Sequence, residues 1–154
     1  MRRPAFVLAA LLALSISGTA DARGDLDPAD IRALRDYPLS MNKVKAMQDA
    51  MDEAKKLHAM DPNKHLDDNA KTLAEMEARL NAMPQAAAIF RRHGLTAHDV
   101  VVMPLALMDA GVAVSYPKAA ASLSDRVSPA QIAFYKQHMA ELKKMPWLFG
   151  DSGD

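Results

Sequence analysis

LTAHDVVVMPLALMDAGVAVSY, running from Leu95 to Tyr116, is the stretch on which the fold turns. Thr96 is placed to cap a helix, accepting a hydrogen bond from a first-turn N–H. Asp99, three residues on, can return the bond as a capping box and also faces the positive end of the helix dipole. Leu95 and Val100 flank the box as a hydrophobic staple. From Val100 to Ser115 the only polar side chains are Asp109 and Ser115. A helix apolar on almost every side is one that other helices cover. A membrane span needs roughly 20 mostly apolar residues. This run is shorter and contains Pro104 and Asp109, so it reads as a buried core helix and not a span.

Within it, Pro104 removes the backbone bond to the Val100 carbonyl and is expected to kink the helix. Gly111 permits a neighbouring helix to come close. Asp109 has two readings. It is either a buried carboxylate serving a site, or part of a narrow wet stripe through His98, Val102, Ala106, Asp109 and Ala113, and the stripe is the simpler of the two. His98 and Asp109 are eleven residues apart, roughly 16 Å along a helix, too far for a catalytic dyad.

The flanking sequence repeats the same helix-start grammar. Leu26-Asp27-Pro28-Ala29-Asp30-Ile31 offers a cap at Asp27, proline at the first helical position and a staple of Leu26 with Ile31. Pro38 ends that helix by disfavouring helical backbone at Tyr37. Ser40 caps a second helix with a buried stripe of Val44, Met47, Met51, Ala54 and Leu57 or His58, ending at Asp61-Pro62. Asp67 or Asp68 is expected to start a third, carrying Leu73, Met76 and Leu80. Pro84 opens a fourth, which ends in Arg91, Arg92 and His93 before Gly94, a residue suited to the left-handed position after a last turn. After the core helix, 118–126 reads as a loop or an irregular helical turn. Ser128 and Gln131 then form a second box, stapled by Val127 and Ile132, for a last helix with Ile132, Tyr135, Met139 and Leu142 on one face. Pro146 closes it. The pattern predicts an all-α fold, a compact bundle of about six helices around the apolar helix at about 97–115.

The N-terminus points to export. Arg2-Arg3, the apolar run Ala5 to Ile16 and the small-x-small triplet Ala20-Asp21-Ala22 make a signal peptide over 1–22. A single helical domain follows over 23–150, then an acidic tail over 151–154. Removal of the leader takes away two arginines and one aspartate, so the net charge moves from zero to −1. That balance gives no electrostatic case for nucleic acid or an anionic surface. Without cysteine, thiol catalysis, a lipoprotein anchor and c-type haem attachment are excluded. The fold must rest on a packed core, which about 130 residues can supply. The expected location is the periplasm or the medium.

Little in the chain argues for chemistry. Ten methionines besides Met1, with five histidines, invite a copper reading, since thioether and imidazole suit that metal. Met47 and Met51 share a face and His58-Ala59-Met60 sets two donors close together, yet the same methionines serve a core stripe, where Met is a common filler. A non-covalent haem would need an axial pair such as Met47 with His138. Asp61 to Thr72 fails as a calcium loop, with Leu66 where glycine belongs and Thr72 where glutamate belongs. His93 and His98 read as a helix-end residue and an exposed first-turn residue. Nucleophile elbow, zincin, phosphate-loop and dinucleotide motifs are absent. No cofactor and no catalytic or metal-binding residue is assigned. An enzyme of unknown class stands third, behind binding and metal or haem uptake. The aromatic cluster Trp147-Leu148-Phe149 supplies the candidate partner-binding residues, Trp147 and Phe149, or else folds back over the base of the bundle.

Tyr37-Pro38-Leu39-Ser40-Met41-Asn42-Lys43-Val44, with Ala133-Phe134-Tyr135-Lys136, resembles small secreted helical proteins of Gram-negative bacteria that carry no assigned activity. The resemblance implies export and an all-helical fold and brings no catalytic residue. The expectation is a soluble exported module that binds an unknown protein or envelope component, without a transmembrane span in its mature form.

Overall fold

The computed structural model describes residues 26–60, Leu66 and 70–149, apart from the side chain of Phe149. The signal peptide, the acidic tail, the rejected calcium loop at 61–65 and 67–69, and the aromatic face of Phe149 lie outside the described residues. Among the described residues the chain is all-helical, with helices α1 (Pro28–Asp36), α2 (Met41–Lys56), α3 (Leu73–Asn81), α4 (Pro84–Arg92), α5 (Ala97–Ser115), α6 (Pro117–Ala120), α7 (Pro129–Leu142) and α8 (Pro146–Phe149). A 3-10 turn over Ala121–Leu123 follows α6. The six long helices are those the sequence predicts. Two single-turn helices, each begun by a proline, raise the number to eight among the described residues.

α5 is the axis. It packs against α1, α3, α4 and α7, and eleven of its residues are buried, from Asp99 to Ala113. By length and composition alone it could cross a membrane, with a mean hydropathy of 1.5, but 61% of that window is covered by the rest of the protein. Its capping box is formed as expected: the Asp99 N–H donates to Thr96 Oγ1 and the Thr96 N–H to Asp99 Oδ2. Gly111 lies under α7. A Cβ there would sit 2.9 Å from Tyr135 Cζ, so only glycine lets that ring approach the helix.

The local start signals work as read. Asp27 accepts from the Ala29 N–H at 2.7 Å, and Ser40 from the Lys43 N–H at 3.4 Å. Ser128 and Gln131 form the second box. Gln131 then does more than cap: it is buried, and its amide donates to the carbonyls of Leu34 (2.7 Å) and Tyr37 (3.0 Å), tying the start of α7 to the end of α1. Gly94 takes φ +75, and the Leu95 N–H closes the end of α4 on the Phe90 carbonyl at 2.9 Å.

Three expectations are corrected. α2 stops at Lys56 and does not run on to Asp61-Pro62: His58 takes φ +50, and the Ala59 N–H bonds back to the Ala54 carbonyl at 2.9 Å. A histidine thus fills the left-handed place usually given to glycine. Leu57 and His58, expected on the buried stripe, are exposed, and Ala50 is buried in their stead. α3 starts at Leu73 and not at Asp67 or Asp68, because Thr72 caps it there: Thr72 Oγ1 accepts from the Glu75 N–H at 3.2 Å, and the Glu75 carboxylate reaches past the cap to accept from the Lys71 N–H. Buried Asp30, in the first turn of α1, accepts from the Leu73 N–H at 3.1 Å and so also caps α3 from a distance. Of the two forms open to 118–126, the structure takes the helical one, a single α turn running into the 3-10 turn.

Candidate functional site

Where α5 begins, three segments meet. Tyr37 ends α1 in extended backbone before Pro38, Lys43 lies in the first turn of α2, and Thr96 and Asp99 open α5. Asp99 is 4% exposed and its two oxygens are shared out fully. Oδ1 accepts from the Tyr37 hydroxyl and from Lys43 Nζ, both at 2.6 Å. Oδ2 accepts from the Thr96 N–H and hydroxyl, both at 2.9 Å. Burial pushes the carboxyl up, but the bonds from Lys43, Tyr37 and Thr96 overcome it and hold the acid at about 2. The same contacts act in the opposite sense on Tyr37: burial first, then the neighbouring carboxylate, hold its phenol well above the usual range. The Lys43 ammonium also lies 5.4 Å from the centre of the Tyr37 ring. A carboxylate with four donors and no free lone pair toward solvent positions its neighbours and has no spare basicity for proton transfer.

Outside this cluster runs an open groove of about 600 Å³, walled by Arg32, Ala33, Asp36, Pro38 and His98 with the cluster as its floor. A second groove of similar size, lined by Asn81, Arg91 and Gly94 among others, begins on the far side of Thr96 and His98. Neither is lined by Pro104, where the sequence predicts a kink. Arg32, Asp36 and Arg91 lie on the rims.

Asp109, ten residues along α5, is buried at 3% exposure. Val102, Ala106 and Ala113 are buried with it, so the wet stripe does not exist. Its partner is Arg126, whose Nε and Nη2 donate to Oδ2 at 3.0 and 2.7 Å. Burial pushes Asp109 above the usual carboxylate range, and the Arg126 guanidinium offsets this only in part. The pair fastens the segment before α7 to the core helix.

The histidines face different partners. His93 bonds Glu53 at 2.7 Å, and Arg92 bonds the same carboxylate. His93 and Arg92 hold Glu53 below its usual range. His98, half-exposed, bonds Glu77 at 2.8 Å. The His138 ring lies tilted at 45° against that of Phe134, with centroids 4.7 Å apart. Met47 and Met103 are sealed in the core, while Met51 and Met60 pack at its edge. Among the described residues no three His, Asp or Glu side chains are grouped to hold a metal.

Trp147 is half-buried against the core with Met145 and Leu148, and its indole N–H is buried without an acceptor among the described residues. The sequence reading missed the Tyr37–Lys43–Asp99 cluster and the Arg126 partner of Asp109, although all five residues stand in stretches it singled out. The one available signal was that Asp99 is a capping acid in an otherwise apolar run. Comparison of the chain with protein-family models, with curated proteins and with solved structures finds no match.

Proposed function

We propose that the protein is an exported binding module of the cell envelope, acting by holding a ligand or partner and not by catalysis. The observation that supports this most directly is the open groove at the start of α5, above a polar cluster whose members are already bonded to one another. Such a floor is rigid and chemically quiet, while Arg32, Asp36 and His98 on the wall present charge and hydrogen-bonding groups to a ligand. The test is backbone-amide NMR of the exported chain during titration with soluble muropeptides, with lipopolysaccharide and with an envelope protein extract. Shifts gathered on Arg32, Ala33, Asp36 and His98 with one of these are expected. A groove silent to all three sinks the reading. Export itself is tested by cell fractionation: a periplasmic or secreted product beginning at Arg23 is expected, and a full-length cytoplasmic chain would remove the envelope from the proposal.

A second reading places the partner at Trp147 and Phe149. It is favoured by the half-buried position of Trp147, the single tryptophan of the chain. Replacement of both by alanine should then abolish retention of an envelope protein while groove-directed shifts persist. Copper or haem uptake remains the alternative of another kind. A stoichiometric metal or a Soret band in protein purified from its native compartment would put it first.

A further inference from the structure

We infer that α8 is a hinged flap, which leaves its seat as a unit while the rest of the bundle stays folded. Leu142, the last residue of α7, is fully buried and marks the fixed end. Lys143 and Lys144, both exposed, form the turn that follows. Beyond them the chain is held by little. The Met145 N–H bonds back to the Leu142 carbonyl at 3.0 Å at the hinge, Pro146 has no N–H to give, and the bond from the Leu148 N–H to the Met145 carbonyl at 3.1 Å is local to the turn and ties it to nothing in the body. Among the described residues, no side-chain hydrogen bond or ion pair joins α8 to the body. Its attachment is apolar contact through Met145, Trp147 and Leu148.

Against that contact stands a specific penalty. The Trp147 indole N–H is buried with no acceptor among the described residues, so docking strips it of water and returns nothing. A single turn of four residues has no helical stability of its own, and its place depends on what it packs against. Undocking therefore restores a hydrogen bond to the indole and exposes a short apolar strip led by the tryptophan. This inference rests on the second reading above only for what meets the open flap; the opening itself is independent of any partner and of the groove.

The test uses the mature chain and compares it with Trp147→Phe, which keeps an aromatic ring and removes the N–H. In the native chain, acrylamide should quench the Trp147 emission readily under conditions where circular dichroism shows no unfolding. The Leu148 amide should exchange with deuterium far faster than the interior amides of α7. In Trp147→Phe the closed flap loses its penalty, and exchange at Leu148 should slow on the order of tenfold with an unchanged thermal melt. A Trp147 emission shielded from acrylamide, or a Leu148 amide that exchanges only with global unfolding, overturns the flap. Faster exchange in Trp147→Phe also overturns it, because the indole N–H would then be contributing a bond in the docked state. If retention of an envelope protein fails while these three results hold, the partner reading falls and the flap stands.

Discussion

The two aspartates of α5 share a helix and a degree of burial, 4% exposure for Asp99 and 3% for Asp109, and yet their acidities diverge. Asp99 is held at about 2, whereas Asp109 is pushed above the usual carboxylate range. The difference lies in the donors. Asp99 gathers an ammonium, a phenol, a hydroxyl and a backbone N–H over both oxygens. Asp109 receives one guanidinium on one oxygen. Both sites lose hydration, and replacement of the lost water by aimed donors is complete only at the first. Asp99 is thus a fixed anion that organises the junction of α1, α2 and α5, while Asp109 keeps protonation within reach.

The comparison breaks most sharply if Asp99 is removed. Asp99→Ala leaves the Lys43 ammonium, the Tyr37 hydroxyl and the Thr96 N–H without their acceptor in a largely buried place. A loss of about 3–5 kcal/mol in urea-unfolding free energy is expected. A loss below about 1 kcal/mol would mean that the cluster is incidental to the fold.

The acid limb of the stability curve separates the pair next. Asp99 has a folded pKa below its unfolded value. Its contribution is therefore present above pH ~4 and is lost as pH falls from there toward about 2. The size is roughly 2 kcal/mol, since each tenfold change in proton affinity between the folded and unfolded chain is worth about 1.4 kcal/mol. Asp109 has its folded pKa raised, so its ionised form is the costly one and the cost is relieved as pH falls. Urea titrations from pH 6 to pH 2 should show a shallower acid loss in Asp99→Asn and a steeper one in Asp109→Asn than in the native chain. Parallel curves would show that the two sites titrate alike.

How much of this is legible in the sequence follows the range of the interactions. Thr96 with Asp99, Ser128 with Gln131, and Asp27 before Pro28 lie within four residues of their partners, and each start is readable because a cap is a local bond. The partners that give Asp99 its acidity stand 56 and 62 residues away, at Lys43 and Tyr37. No periodicity links them, and the groove they floor is invisible for the same reason. The sequence puts Asp109 on a wet stripe because a lone carboxylate among apolar neighbours is most stable in water. Arg126, arriving from the turn before α7, makes the dry position tolerable. His58 gives no warning because a left-handed backbone is uncommon in histidine and nothing local marks it.

Arg126→Met sharpens the contrast at the other end of α5. An acid whose pKa burial has already raised can escape the loss of its cation by taking a proton. The cost should therefore be about 1–2 kcal/mol at pH 7, below the usual penalty for stranding a buried charge, and smaller at pH 5. The measurement is unfolding free energy at the two pH values. A cost of about 3–5 kcal/mol, unchanged between them, would make Asp109 a permanent anion like Asp99 and erase the distinction.

The smallest effect tests whether the Asp99 junction depends on the elbow that delivers it. Gly94 turns the chain from α4 into α5 at φ +75, and a Cβ there would meet nothing within 4 Å. Gly94→Ala therefore strains the backbone without a clash, at a cost of about 1 kcal/mol, and Gly94→Asn should cost less, since asparagine tolerates the left-handed region. The strain belongs to the turn and does not touch the donors around Asp99. The acid limb should keep its shape and simply move down by that amount at every pH. If Gly94→Ala also flattens the limb, the turn and the four-donor cluster form one cooperative unit. The acidity of Asp99 would then be set by the path of the chain as well as by the side chains that surround it.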